Sequence, residues 1–141
     1  MPLNSQIKRI NPLDIDNNVT IGVAFPLNRD NLQKGTENVK DQIKSDLINL
    51  MLTEPGERIH LTSYGVGLKS ILFENRIDIN NINTNIDIQI KKYLPQITLK
   101  DVTSNFSKNE HILYIKMVYA YNLDGETDAI QLNFNKDNYA V

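Results

Sequence analysis

The stretch 53-TEPGERIHLTSYGVGLKSILFE-74 decides how this chain is organised, because a helical pattern stops here and a glycine-punctuated loop replaces it. Pro55 fixes its own φ and disfavours the helical conformation of the residue before it, so the preceding helix is expected to end near Thr53. Positive φ values have no steric cost at glycine, and the stretch has three: Gly56, Gly65 and Gly67. The stretch therefore predicts a helix end followed by a strongly specified loop.

A short second helix is predicted to follow the loop, since three apolar residues there share one helical face: Leu68, Ile71 and Leu72. Between the glycines lie Glu57, Arg58 and Tyr64, and loops with a tightly specified backbone commonly carry function. The planar guanidinium of Arg58 suits a carboxylate or several carbonyls, either inside the domain or across an interface. Two interpretations stay open for these side chains: an internal salt bridge or cap, and a contact with a partner protein.

Length and composition exclude several classes of protein. The chain has 141 residues, which suits one domain with a substantial core, and the absence of cysteine excludes disulfides and thiolate metal sites. A net charge of −2 without a stripe of Lys and Arg gives no electrostatic basis for a nucleic-acid partner. No apolar run approaches the ~20 residues of a spanning helix, so no membrane partner is expected and the chain should be cytosolic when made.

Two regions are predicted along the chain. Residues 1–18 contain two prolines and scattered polar residues, which is typical of a loosely structured N-terminal arm. This arm is either a frayed terminus or a segment that lies across a neighbouring subunit, and the residues do not decide between them. Residues 19–141 are expected to form a single domain.

The domain is predicted to begin with a strand and to contain two longer helices. Val19–Phe25 alternates apolar and small or polar residues, as a strand with one packed face does. Apolar residues at helical spacing follow, from about Thr36, the predicted N-cap, to the glycine-punctuated loop. A further helix is predicted after that loop, with Asn80 or Asn81 as its N-cap and Pro95 as its limit.

The C-terminal part is predicted to be a meander of three strands, Ile97 to about Phe106, His111–Asn122 and Ala129–Phe134. The middle strand is apolar on both faces, which indicates a central position in the sheet. The predicted fold class is α+β. A small, mainly antiparallel sheet, made of one N-terminal strand plus the C-terminal three-strand meander, is packed by two longer helices and one short helix.

The last strand is a candidate edge of this sheet. Ile130, Leu132 and Phe134 alternate with polar residues, so one face is expected to pack while the other meets water or a partner. Unpaired backbone groups on an edge strand are a template for a strand of another chain. The alternative is an ordinary edge, protected by Lys136 and Asp137.

Three motifs resemble those of a known family: Gly56-Glu57-Arg58, Tyr64-Gly65-Val66-Gly67-Leu68 and Leu72-Phe73-Glu74. In identity and spacing they are similar to the baseplate wedge and sheath-initiator family of contractile-tailed phages, which has relatives in type VI secretion baseplates. The likeness extends in pattern from about Val19 to Phe134. The resemblance implies a structural component of the baseplate wedge, located in the virion tail and assembled in the host cytoplasm, with other wedge proteins and the tail sheath protein as partners. No cofactor and no small-molecule substrate are implied.

The resemblance also implies where these partners bind. The loop is expected to dock on the wedge core through Glu57, Arg58, Tyr64, Gly65 and Gly67. The edge strand, at Ile130, Leu132 and Phe134, is expected to start sheath polymerisation by strand exchange. Alternatives are a peptidoglycan hydrolase of the tail, because the family has been labelled lysozyme-like, and the equivalent subunit of a type VI secretion system or another contractile injection system.

Catalysis is not expected from the residues themselves. Glycoside hydrolysis needs two carboxyl groups, one with a raised pKa, and Glu54, Glu57 and Glu74 are the candidates. However, the cation of Arg58 next to Glu57 would lower a carboxylate pKa, and the chain has no Trp to stack on a sugar. Only two histidines occur, neither with a second ligand at metal-binding spacing, so no metal site is predicted.

Overall fold

The computed structural model describes residues 10–16, 19–24, 35–74 and 76–135, together with the backbone of 139–140. After a 3-10 turn at Pro12–Asp14, the elements follow in this order: β1 (Gly22–Val23), β2 (Gly35–Thr36), α1 (Val39–Leu52), α2 (Leu68–Ile71), α3 (Ile79–Tyr93), β3 (Ile97–Ser107), β4 (Ile112–Tyr121), β5 (Thr127–Phe134) and β6 (Tyr139–Ala140). The predicted α+β class, with two longer helices and one short helix, is confirmed. None of the helices in these ranges has the length and hydropathy needed to cross a membrane.

The main sheet is antiparallel, in the order β3-β4-β5-β6, so β4 is central as its apolar faces predict. Leu113, Ile115 and Met117 of β4 are completely buried on the face that the helices cover. The next strand adds Leu132 and Phe134 to the same core, at 0% and 1% exposure. The hydrophobic core therefore lies between one face of the meander and helices α1 and α3.

The N-terminal strand differs from its prediction. It is reduced to β1, which pairs antiparallel with β2 in a separate two-stranded sheet rather than with the meander. Val19 and Val23, expected on a packed face, are 50% and 52% exposed, and Phe25 lies outside the described residues. The central strand β4 already has a neighbour on each side, and the short β2 just before α1 offers β1 a local partner.

The N-cap of α1 is Asn38 rather than the predicted Thr36. The Asn38 Oδ1 accepts hydrogen bonds from the backbone N–H of Lys40 and of Asp41, at 2.9 and 3.3 Å. Thr36 is buried in β2, and its hydroxyl donates to the Oε1 of Gln42 at 2.5 Å. Both residue types cap well, and the β1–β2 pairing decides between them because it holds Thr36 in a strand.

The N-cap of α3 is Asp78 rather than the predicted Asn80 or Asn81. Its Oδ1 accepts from the backbone N–H of Asn80 at 3.0 Å and of Asn81 at 3.2 Å, so both asparagines lie in the first turn. A carboxylate at this position also interacts favourably with the positive end of the helix dipole. Helix α3 therefore begins earlier in the chain than predicted.

The described part of the N-terminal region contacts the domain at one helix end. Asp14 accepts a hydrogen bond from the backbone N–H of Val39, the first residue of α1, at 2.7 Å. Ile10, Leu13 and Ile15 on the same segment are 63%, 56% and 77% exposed. The division into an arm at 1–18 and a domain at 19–141 stays a prediction.

Candidate functional site

The glycine-punctuated loop, residues 54–67, returns to the helix from which it leaves. As predicted, α1 ends at Thr53, which is its C-cap. The backbone N–H of Val66 donates to the carbonyl of Leu50, and that of Gly67 donates to the carbonyl of Thr53, both at 3.0 Å. These bonds satisfy carbonyls that a helix end leaves without intrahelical partners. The loop is thus closed against the end of α1 by its own backbone.

Two of the three glycines permit this closure, and both are buried. Gly65 has a φ of +111°, and a Cβ atom there would lie 2.1 Å from the carbonyl oxygen of Thr53. Gly67 has a φ of +69°, and its Cβ would lie 2.5 Å from a carboxylate oxygen of Glu54. Gly65 and Gly67 therefore shape the loop from the inside. At Gly56, with a φ of +92°, a Cβ would meet nothing within 4 Å.

Two of the three candidate catalytic carboxylates accept hydrogen bonds from the backbone. Glu57 Oε2 accepts from the backbone N–H of Glu54 at 3.1 Å, and Glu54 Oε1 accepts from the backbone N–H of Ser70 at 3.2 Å. This agrees with the capping alternative for Glu57 and extends the same role to Glu54. Glu74 follows α2 and is exposed.

Arg58 lies over the ring of Tyr64, with its Cζ atom 4.0 Å from the ring centroid. In the part of the chain that the structure describes, no salt bridge joins Arg58 to Glu57 or to another carboxylate, so its charge is held by a cation–π contact. Burial raises the pKa of Asp46 on α1, and the nearby Arg58 charge opposes that rise. Arg58 is half-buried, and its guanidinium donates no hydrogen bond to any side chain among the described residues.

Tyr64 anchors the loop to α3. Its ring is 7% exposed and packs edge-on against Tyr93 with centroids 4.9 Å apart, and burial raises the pKa of its hydroxyl. Gln89, one turn earlier on α3, completes the anchor. Its Oε1 accepts from the backbone N–H of Gly65 at 3.1 Å, and its Nε2 donates to the carbonyl of Ser63 at 2.9 Å. Gln89 was not predicted, although a glutamine beside the apolar stripe of α3 is a usable signal.

The outer tip of the loop is apolar and exposed. Ile59 is 86% exposed and Leu61 is 45% exposed, and both lie within a few residues of the Arg58 guanidinium. Neither was predicted as a site residue, because single apolar residues in a loop carry no periodic signal. A cation beside exposed aliphatic side chains on a fixed backbone is a composition suited to protein contacts.

The candidate edge strand offers backbone rather than side chains. Ile130, Leu132 and Phe134 are 7%, 0% and 1% exposed, so their side chains belong to the core. The N–H of Tyr121 donates to the carbonyl of Glu126 at 2.9 Å. Hydrogen bonding alternates along an antiparallel pair, and this bond sets its phase. The backbone N–H and C=O groups of even-numbered residues in β5 therefore point towards β4, and those of odd-numbered residues point away from it.

An independent contact supports this assignment of the β5 backbone. The N–H of Ala129 is bonded by the Oδ1 of Asp128 at 2.8 Å rather than by β4. The short β6 pairs only with Asn133 and Phe134. No strand formed by the described residues pairs with the outer side of Ala129 and Gln131. The unpaired part of the outer side of β5 is therefore short.

Comparison with known families places the chain among structural baseplate proteins, in agreement with the resemblance of its three loop motifs. Residues 37–125, more than half of the chain, match the family of baseplate wedge protein gp25, and the chain belongs to this family. No curated protein matches the chain. Membership in a structural family favours a role without catalysis.

Two solved structures share the fold, and a third is similar to a lesser degree. A candidate tail lysozyme from Geobacter sulfurreducens is 17% identical with a TM-score of 0.61, over 72% of this chain and 94% of its own. A chain in the baseplate complex of the type VI secretion system is 15% identical with a TM-score of 0.59, over 68% of this chain and 92% of its own. A chain in the anti-feeding prophage baseplate is 29% identical over 82% of this chain and 85% of its own, with a TM-score of 0.48. At these identities the first two show the fold alone.

Proposed function

We propose that this protein is a subunit of a baseplate wedge in a contractile phage tail, assembled in the host cytoplasm, that joins wedge proteins to the first ring of sheath. The observation that carries the proposal is the loop 54–67. It combines a backbone fixed on both sides with a tip at which Ile59 and Leu61 are exposed beside the half-buried Arg58. The family provides the context, since its members are baseplate wedge proteins. The alternative, the equivalent subunit of another contractile injection system, would have the same role in a related machine.

The loop would bind wedge partners through its tip. A fixed backbone lowers the entropic cost of binding, and arginine is enriched among the energetically dominant residues of interfaces. The family resemblance also implies that Glu57, Tyr64, Gly65 and Gly67 belong to this interface, and these residues would act by holding the loop in shape. Their hydrogen bonds and contacts within the domain support a role in shaping the loop, while the tip binds the partner.

The loop proposal is tested with Arg58→Ala and Ile59→Ser in wedges reconstituted from purified proteins. Loss of the cation–π contact should reduce the free energy of unfolding by only about 1 kcal/mol, so both variants should fold. We expect both to lose most of their incorporation into wedges. Ile88→Ser, at a 54% exposed position on α3, is the matched control and should incorporate normally. Normal incorporation of both loop variants would contradict the proposal.

Strand β5 would receive or template a strand of sheath through the outward N–H of Gln131 and the outward carbonyls of Ala129 and Gln131, since the N–H of Ala129 is bonded to Asp128. Gln131→Pro tests this, because proline removes an outward N–H and leaves the bonds to β4 in place. Gln131→Ala keeps the N–H and is the control. We expect the proline variant to enter wedges but not to start sheath assembly in vitro. Sheath that assembles equally on both variants would show that the edge is not used.

The hydrolase alternative makes a different prediction for a phage in which this gene is disabled. If the protein is a structural subunit, its loss should give tails without sheath or without baseplates, which electron microscopy detects directly. If it is a hydrolase, its loss should give complete tails that fail to breach the cell wall. The backbone hydrogen bonds of Glu54 and Glu57 favour the first outcome, because they give both carboxylates a structural role.

A further inference from the structure

A cleft of about 670 Å³ lies where the segment after α2 meets the turn between β3 and β4. It is separate in sequence from the loop 54–67 and from the open edge of β5. The side chains that give it its character are Phe73, Glu74, Arg76, Phe106, Lys108 and His111. Arg76, Lys108 and His111 are basic residues, and Phe73 and Phe106 are aromatic.

The charge of this cleft is opposite to that of the whole chain. Arg76 and Lys108 contribute two positive charges and Glu74 one negative, so the formal charge is +1 with His111 neutral and +2 with it protonated. The whole chain has a net charge of −2. Throughout the described ranges, no salt bridge joins Arg76 or Lys108 to a carboxylate. The cleft therefore keeps cations available to an anionic partner.

The walls between these cations are aromatic. Phe73 is 65% exposed. Phe106 is half-buried, and its ring lies 6.4 Å from that of His111 at an interplanar angle of 52°. Arginine and aromatic side chains are the residues most enriched at the centres of protein interfaces.

The backbone at His111 belongs to the β3–β4 turn. Among the described residues other than glycine, His111 alone has a positive φ, at +53°. A residue in this left-handed region commonly follows the turn of a β-hairpin, and histidine adopts the region more readily than most residues. Here the conformation ends the β3–β4 turn and sets the imidazole at the rim of the cleft.

We propose that this cleft binds an extended segment of a partner protein in which a carboxylate lies next to an aromatic or large aliphatic side chain. The carboxylate pairs with Arg76 and Lys108, since a guanidinium binds a carboxylate through two parallel hydrogen bonds. The neighbouring apolar side chain packs between Phe73 and Phe106. A phosphate chain would satisfy the cations but leave the aromatic walls exposed. This second docking surface does not depend on the function proposed for the loop or for β5.

The test is an NMR titration of the ¹⁵N-labelled full chain with a short acetylated peptide in which one phenylalanine lies between two aspartates. We expect the largest amide shifts in residues 73–77 and 106–111. A matched peptide with asparagine for both aspartates should bind roughly tenfold more weakly, because it lacks both charge-assisted contacts. A peptide with alanine for phenylalanine should also bind more weakly.

Variants of the protein locate the contact. Arg76→Gln and Lys108→Gln should each weaken binding of the aspartate peptide about fivefold, as expected for an exposed ion pair. Lys100→Gln, at an exposed position of β3, is the control and should leave binding unchanged. All three positions are exposed, so folding is preserved, and the unshifted amides report on it.

Three results would overturn the proposal. One is equal affinity for the aspartate and asparagine peptides. Another is the absence of shifts at millimolar peptide, or shifts confined to other surfaces. The third is binding of a short single-stranded oligonucleotide at the same amides while the peptide fails to bind, which would make the cleft a phosphate site. None of these results bears on wedge incorporation, so this inference and the proposed function fail separately.

Discussion

The loop 54–67 and the strand β5 are both candidate docking surfaces, yet they are built in opposite ways. In the loop, backbone groups, buried glycines and Gln89 hold the conformation, and the side chains of Ile59 and Leu61 are exposed to solvent. The strand buries Leu132 and Phe134 in the core and presents outward backbone groups. Substituting a side chain therefore tests the loop directly, whereas the strand requires a change that removes a backbone donor.

The comparison predicts the largest loss of stability for a core side chain of β5. Phe134 is 1% exposed, and Phe134→Ala should reduce the free energy of unfolding by about 3–5 kcal/mol through lost burial and the cavity left behind. Gln131→Ala, on the other face of the same strand, should change it by no more than about 0.5 kcal/mol. Urea denaturation followed by circular dichroism measures both. Similar losses for the two variants would show that β5 is not packed as described.

A smaller but still large loss is predicted for a buried glycine of the loop. In Gly65→Ala, the strained φ adds to a clash with the Thr53 carbonyl at 2.1 Å, so we expect a loss of about 3 kcal/mol. Gly56→Ala is the matched control. Its φ is also positive but its surroundings are open, so only the conformational cost of about 1–2 kcal/mol remains. Equal losses for the two variants would mean that the loop is not closed against α1.

The same contrast explains how far the sequence predicts the molecule. Apolar periodicity is local, so the helices, the meander and the central place of β4 follow from it, and the glycines mark the loop. Contacts between distant segments leave no periodic signal. The hydrogen bonds of Gln89 to Gly65 and Ser63, and the pairing of β1 with β2, are of this kind. So is the cation–π contact that Arg58 makes instead of an internal salt bridge, which was one of the interpretations left open for it.

Both predicted N-caps were wrong for a related reason. At each helix start several residues of capping type lie close together, and their intrinsic preferences are similar. Asn38 caps α1 because β2 holds Thr36, and Asp78 caps α3 one turn before the expected asparagines. For the candidate site, the sequence identified the residues that shape the loop. It did not identify Ile59 and Leu61, whose importance depends on exposure alone.

The smallest effect we predict depends on pH and concerns an ion pair of β5. Lys44 on α1 binds Asp128 at the start of β5, with Nζ and Oδ2 2.8 Å apart. Burial acts to raise the pKa of Asp128. The hydrogen bonds from Lys44, the Ala129 N–H and Tyr121 outweigh it, so the pKa lies below its ordinary value of 3.8.

A carboxylate with a lowered pKa in the folded state stabilises the fold above its ordinary pKa, and this stabilisation is lost as the pH falls through the folded value. Because Lys44 is 40% exposed, we expect Asp128→Asn to cost only about 0.5 kcal/mol at about pH 6. The difference from the unmodified chain should be smaller at about pH 3, below the ordinary value of 3.8, and should disappear only as the pH falls through the lowered folded value. Gln131→Ala, which removes no ionisable group, is the control and should show no such dependence. If the cost of Asp128→Asn is the same at both pH values, the ion pair does not hold β5 to α1, and packing of Phe134 and its neighbours alone fixes the strand.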